Sequence, residues 1–148
     1  MAQSTQATAN IPAEPGAVLD VIAELPDYPR WAGGIREVVV LSEDDGWPLT
    51  ARFTVDQAPV KDSYVLRYTW DVDESGAGLV SWTLAEPGSM ITGLDGGYEL
   101  VPTATGTDVT YRLTVAARVP MPGPIRRKAE QRIITTALHD LTAEVGRV

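Results

Sequence analysis

The chain has 148 residues, 44% of them apolar, which suits one sizeable core and predicts a single domain over 1–148. Twelve Lys and Arg face 20 Asp and Glu, and the resulting formal charge of −8 argues against general nucleic-acid binding, because neutralising phosphates needs a basic surface. Cysteine is absent, which excludes disulfides, thiolate nucleophiles and thiolate metal sites. No apolar run approaches the roughly 18 residues a membrane span needs, and the polar stretch Met1 to Asn10 lacks a leader pattern, so a cytoplasmic location is expected.

Residues 3 to 11 alternate weakly and end in Ile11 before Pro12, as an edge strand would. Val18, Val21, Ile22 and Leu25 recur at the spacing of one helix face, with Pro15 in the first turn and Pro26 beyond the end. Asp27 is placed to cap a second short helix through Pro29, Arg30 and Trp31, which Gly33 and Gly34 break. From Ile35 the period becomes two. The run to Leu41 is β-branched and leads to Asp45-Gly46, a pair that supplies the positive φ of a tight hairpin.

Leu49, Ala51, Phe53 and Val55 then share a face opposite Thr50, Arg52, Thr54 and Asp56, and Ala58 with Pro59 turns the chain. Tyr64, Leu66, Tyr68, Trp70 and Val72 form the cleanest apolar file, with Ser63, Arg67, Thr69 and Asp71 on the other side. A turn over Asp73 to Gly78 leads to Val80, Trp82 and Leu84, and another at Glu86, Pro87 and Gly88 leads to a strand with Leu94, Tyr98 and Leu100. Gly93, Gly96 and Gly97 interrupt that strand and predict a bulge where the sheet curls. Val109, Tyr111, Leu113, Val115 and Ala117 make the last strand. After Pro120, Pro122 and Pro124 a helix is predicted from about Ile125, with Ala129, Ile133, Ile134, Ala137, Leu138, Leu141 and Val145 on one side.

The expected fold class is therefore α+β. A seven-stranded curved antiparallel sheet, with two short helices after the first strand, wraps the long C-terminal helix, the only element able to cover the apolar face. Four local patterns in this order resemble one family: Ile11-Pro12-Ala13-Glu14 before a helix, Tyr28-Pro29-Arg30-Trp31 after it, Leu94-Asp95-Gly96-Gly97-Tyr98-Glu99-Leu100 with Pro102, and Gly106-Thr107-Asp108-Val109-Thr110-Tyr111. They resemble the START-like superfamily in its polyketide cyclase/dehydrase and coenzyme-Q-binding branch. The resemblance covers nearly the whole chain and implies a helix-grip fold around a cavity for lipids, polyketides, quinones or related hydrophobic molecules. It implies no particular reaction.

The expected cavity lining is Trp31, Phe53, Tyr68, Trp70, Trp82, Tyr98 and Tyr111, faced by Ala129, Ile133, Ala137 and Leu141 of the long helix. Buried phenols and indoles need hydrogen-bond partners, which a ligand at a cavity wall can supply. Arg126, Arg127 and Lys128 fall in the first turn of the long helix, where the dipole disfavours cations. The bland reading is three solvated side chains. The sharper one has Arg126 and Arg127 attract an anionic head group or a membrane surface.

His139 falls on the helix face expected to meet water, so it is read as a surface histidine rather than a general base. Asp71, Asp73, Ser75 and Gly76 imitate the start of a calcium loop, but Trp82 stands where a bidentate Glu is required. A hairpin turn is expected there, and neither a metal nor a cofactor. The leading functional expectation is binding or transport of a hydrophobic small molecule, without catalytic residues. The alternative is a polyketide cyclase or dehydratase in which Tyr68 or Tyr98 polarises a carbonyl and Asp95 or Glu99 moves the proton. Strict alternation with Tyr98 turns both acids outward, which tilts the balance against an enzyme. A regulatory subunit that recognises another protein is the third class, and the oligomeric state is left open. The ten-to-two excess of Arg over Lys points to a GC-rich bacterial genome.

Overall fold

The computed structural model describes residues 4–57 and 60–147. Among these, strand β1 (Thr5–Ile11) precedes helix α1 (Pro15–Ala23), a 3-10 turn over Leu25–Asp27 and the short helix α2 (Tyr28–Trp31). Strands β2 (Ile35–Asp44), β3 (Trp47–Gln57), β4 (Val60–Val72), β5 (Gly78–Glu86), β6 (Ile91–Thr103) and β7 (Gly106–Ala117) follow, and helix α3 (Gly123–Val145) comes last. The turn expected at Ala58 and Pro59 lies outside the described residues.

The strands form one antiparallel sheet in the order β1-β7-β6-β5-β4-β3-β2, with successive hairpins from β2 to β7 and β1 returning to the edge beside β7. Each hairpin places like-facing side chains opposite one another, so the period-two files merge into one buried face. Phe53 stands opposite Tyr64, Tyr68 opposite Trp82, and Tyr98 opposite Tyr111. Asp45 and Gly46 adopt φ of 53° and 83°, the left-handed pair that a two-residue hairpin requires.

The glycines of β6 meet the expectation of a bulge in part. The register slips between Ile91 and Gly93, but Gly96 and Gly97 stay paired on both sides. Gly96 is instead a seat for an indole: a Cβ there would lie 2.7 Å from Nε1 of Trp82, directly across on β5. Other irregularities fall within β2 and between Val65 and Leu66 of β4, where no glycine announces them.

Helix α1 buries Val18, Leu19 and Ile22, while Val21 is half-buried and the fully buried Leu25 belongs to the 3-10 turn. The expected Asp27 cap is absent. That carboxylate instead accepts from Nε and Nη2 of Arg30, at 3.0 and 2.7 Å, and no side chain caps α2.

Helix α3 lies against the buried sheet face through Ile134, Leu138, Leu141 and Val145, completing the helix-grip arrangement. Each such side chain contributes roughly 1.5–3 kcal/mol by leaving water. Ile133 and Ala137 are half-buried. Ala129 is exposed, and its neighbour Glu130 takes the inward place with 1% exposure. The reason is a polar joint: Glu130 accepts the Val115 amide at 2.7 Å and the Thr5 hydroxyl at 2.6 Å, tying α3 to β7 and β1. A buried backbone amide without a partner would cost on the order of 1–3 kcal/mol, which alanine could not offset.

Candidate functional site

The inner face of the sheet carries an unbroken chain of aromatic rings. Phe53 stacks near Tyr64 and Tyr68, with centroids 6.2 and 6.4 Å apart, and Tyr68 stacks on Trp70 at 5.4 Å. Tyr68 also meets Trp82 at 5.6 Å, and Trp82, Tyr98 and Tyr111 form an edge-to-face triangle with sides of 5.5, 5.7 and 4.7 Å. Tyr28 bridges Phe53 to Trp31 on α2. All seven aromatic residues expected at the site thus belong to one assembly, and Leu141 is buried in the core that includes it. Tyr28 and Tyr64 join it as well. Tyr64 was already visible in the β4 file, but nothing local marks Tyr28 as an inward ring.

The polar atoms of these rings divide into two groups. Tyr28 donates to the Ile22 carbonyl, and Trp70 donates to the Pro48 carbonyl at 2.6 Å while resting against Trp47. The hydroxyls of Tyr64, Tyr68, Tyr98 and Tyr111 have no protein partner among the described residues. Yet no buried side-chain nitrogen or oxygen there is both sealed and unpartnered. These four hydroxyls therefore face space that a water-sized molecule reaches.

Burial pushes the Tyr28, Tyr68, Tyr98 and Tyr111 phenols well above the usual range, and adjacent tyrosines add to the effect. Tyr64 is raised to about 12, mainly by burial and secondarily by Asp62. At neutral pH every one of them is an uncharged donor.

Two open depressions are described, one away from this assembly and one that reaches Trp82 from the other side of the sheet. One, of about 530 Å³, sits at the sheet end between β3, β4 and the β5–β6 turn, among Arg36, Asp56, Lys61 and Asp62. Asp62, unremarked in the sequence, accepts amides from Ser63, Ser89, Met90 and Ile91 at 2.8–3.0 Å and the Ser89 hydroxyl at 3.0 Å. Burial alone would raise its pKa, but those amides outweigh it and hold the group down to about 2. It clasps the β5–β6 turn onto β4. The second depression, about 200 Å³, lies on the outer sheet face beside Ser81, Thr83, Asp95 and Arg112. Neighbouring rings on the sheet face stand at contact distance from one another, while α3 makes its sheet contacts with β1 and β7.

The remaining candidates resolve individually. Asp95 and Glu99 are exposed, so neither supplies an inward acid beside Tyr98. His139 is 82% exposed and stands 3.4 Å from Asp140. Asp73 Oδ1 accepts from the Ser75 amide and hydroxyl and the Ala77 amide, organising a hairpin turn. Arg126 lies 3.6 Å from buried Glu130, whereas Arg127 and Lys128 are exposed and unpaired among the described residues. Arg30 bridges Asp27 to Glu144, and the Gly33 amide donates to Asp140 at 2.9 Å, so α2 and its ring Trp31 are fastened to α3.

No helix among the described residues is long and apolar enough to cross a membrane. No curated protein matches the chain. Among solved structures, it is similar to a START superfamily protein from Mycobacterium smegmatis, at 18% identity over 99% of both chains with a TM-score of 0.88. It is similar to the Zhui aromatase/cyclase from Streptomyces sp. R1128, at 17% identity over 98% of this chain and 94% of that one, with a TM-score of 0.81. A STAR-related lipid transfer protein from Xanthomonas axonopodis aligns at 18% identity, covering 95% and 84%, with a TM-score of 0.75. At these identities the likeness is one of fold. The family model described as polyketide cyclase / dehydrase and lipid transport matches residues 11–142, and the chain, with its sheet gripping α3 over that same span, belongs to this family.

Proposed function

We propose that the chain binds or carries a hydrophobic small molecule between the aromatic face of the sheet and α3. The observation that carries this reading is the set of four phenol hydroxyls on the aromatic face of the sheet, on Tyr64, Tyr68, Tyr98 and Tyr111, without protein partners among the described residues. A protein core built only for stability would use phenylalanine at such positions, because a buried hydroxyl left without a bond costs energy. Membership in a family described by both cyclisation and lipid transport supports the same reading.

Affinity comes from apolar burial against the rings and against Ile133, Ala137 and Leu141. Orientation comes from the phenols, which donate to a carbonyl or ether oxygen of the guest. Displacement of α3 or rotation of the rings accommodates guests of different size. Binding needs no acid or base, and Asp95 and Glu99 are not placed to provide one. The binding reading therefore stands ahead of the cyclase reading.

The test is native mass spectrometry of the purified full chain, followed by titration with Nile red, a neutral apolar dye that carries a carbonyl. A retained small molecule, or saturable one-to-one dye binding with a blue-shifted emission, is expected. A protein that retains nothing and binds no dye would contradict the proposal.

A further inference from the structure

One end of the molecule combines apolar exposure with positive charge in a protein that is otherwise acidic. Between Asp108 and Glu130 the sequence contains no Asp or Glu, and four of its twelve cations, Arg118, Arg126, Arg127 and Lys128, fall at this end, while Arg112 lies farther along β7 beside Asp95. The same region holds the most exposed large apolar side chains among the described residues, Val119 at 73% and Ile125 at 58%, with Met90 at 37% beside them. The Arg118 amide donates to the Met90 carbonyl at 2.7 Å and its Nε to the Ser89 carbonyl at 3.0 Å, so the β5–β6 turn and the β7–α3 segment are one surface. The Asp62 clasp holds that turn from the other side.

Scattered apolar exposure is ordinary on protein surfaces. Here it coincides with two cations, Arg127 and Lys128, that have no partner among the described residues. Arg126 is taken by Glu130, but Arg127 and Lys128 point to solvent, where the helix dipole opposes them. Pro120, Pro122 and Pro124 stiffen the segment between Val119 and Ile125 and remove backbone donors that a less polar medium would leave unpaired. The acids described against this end are Asp62, engaged by the amides of the β5–β6 turn, and Glu130, beside Arg126. Neither pairs with Arg127 or Lys128, and acids beyond a Debye length, roughly 8 Å at physiological salt, are largely screened.

We propose that this end docks on an anionic lipid surface, with Met90, Val119 and Ile125 entering the interface and Arg127 and Lys128 meeting the head groups. Docking requires no guest in the interior, so it stands or falls separately from the binding reading. Since α3 begins at this surface and also packs on the interior, the membrane contact sits on one of the elements whose displacement admits a guest.

The experiment is sedimentation of the full chain with vesicles of phosphatidylcholine alone or with one third phosphatidylglycerol. The chain is expected to sediment with the anionic vesicles only, and less so as salt is raised. Arg127→Glu with Lys128→Glu is expected to weaken association by at least about tenfold, and Val119→Asp with Ile125→Asp by a similar factor. Val101→Asp, at an exposed valine near the opposite end of the sheet, is expected to leave it unchanged. Should the aspartate pair fail to fold by circular dichroism, Val119→Ser with Ile125→Ser replaces it. Equal sedimentation with both vesicle types, none with either, or wild-type binding by the folded apolar-site variant would overturn the proposal. Nile red binding measured in parallel is expected to survive every one of these substitutions.

Discussion

The periphery and the interior treat polar groups in opposite ways. At the edges, carboxylates without room for error are fully engaged: Asp62 holds four amides, Glu130 joins α3 to β7 and β1, and Glu144 receives Arg30 and Arg147. On the inner sheet face, four tyrosines carry hydroxyls that have no protein acceptor or donor among the described residues. The difference teaches where the chain invests in stability and where it keeps polar capacity for something else.

Substitutions that break this contrast should differ in size. The largest effect is expected from Leu141→Ala, fully buried where α3 meets the core, at roughly 2–5 kcal/mol in denaturant unfolding. Asp62→Asn should follow, at on the order of 2 kcal/mol at neutral pH, because the folded state holds this carboxyl at about 2 against an ordinary value of 3.8. With the folded pKa below the unfolded one, the contribution is present above about pH 4 and disappears as pH falls toward 2. Wild type and Asp62→Asn should therefore converge in stability across that acid window, and parallel curves would refute the clasp.

Tyr28→Phe, which deletes the bond to Ile22, is expected to cost about 1 kcal/mol. Tyr98→Phe, which deletes an unpartnered hydroxyl, should change stability by less than about 0.5 kcal/mol while weakening Nile red binding several-fold. A large stability loss in Tyr98→Phe would mean that its hydroxyl has a structural partner after all.

The same contrast explains what could be read from residues alone. The apolar files of β3 to β7 depend on local periodicity, so Phe53, Tyr68, Trp82, Tyr98 and Tyr111 were legible as one buried face, and Asp45-Gly46 as a hairpin. The clasps were not legible, because their partners are remote in sequence. Asp62 bonds to amides of residues 89 to 91, which carry no side-chain signature, and Glu130 answers a single amide on β7. That long-range demand, rather than helical periodicity, turned Ala129 outward. The seat that Gly96 makes for the Trp82 ring was hidden for the same reason, because the ring comes from across the sheet and a glycine that seats a ring looks in sequence like one that bends a strand.

A structure of the chain with Nile red bound is the most direct measurement of the central claim. The dye is predicted between α3 and the β3–β7 rings, with its carbonyl within hydrogen-bond distance of at least one of the Tyr64, Tyr68, Tyr98 or Tyr111 hydroxyls. Dye seated in the rim or outer-face depression, with those phenols undisturbed, would contradict it.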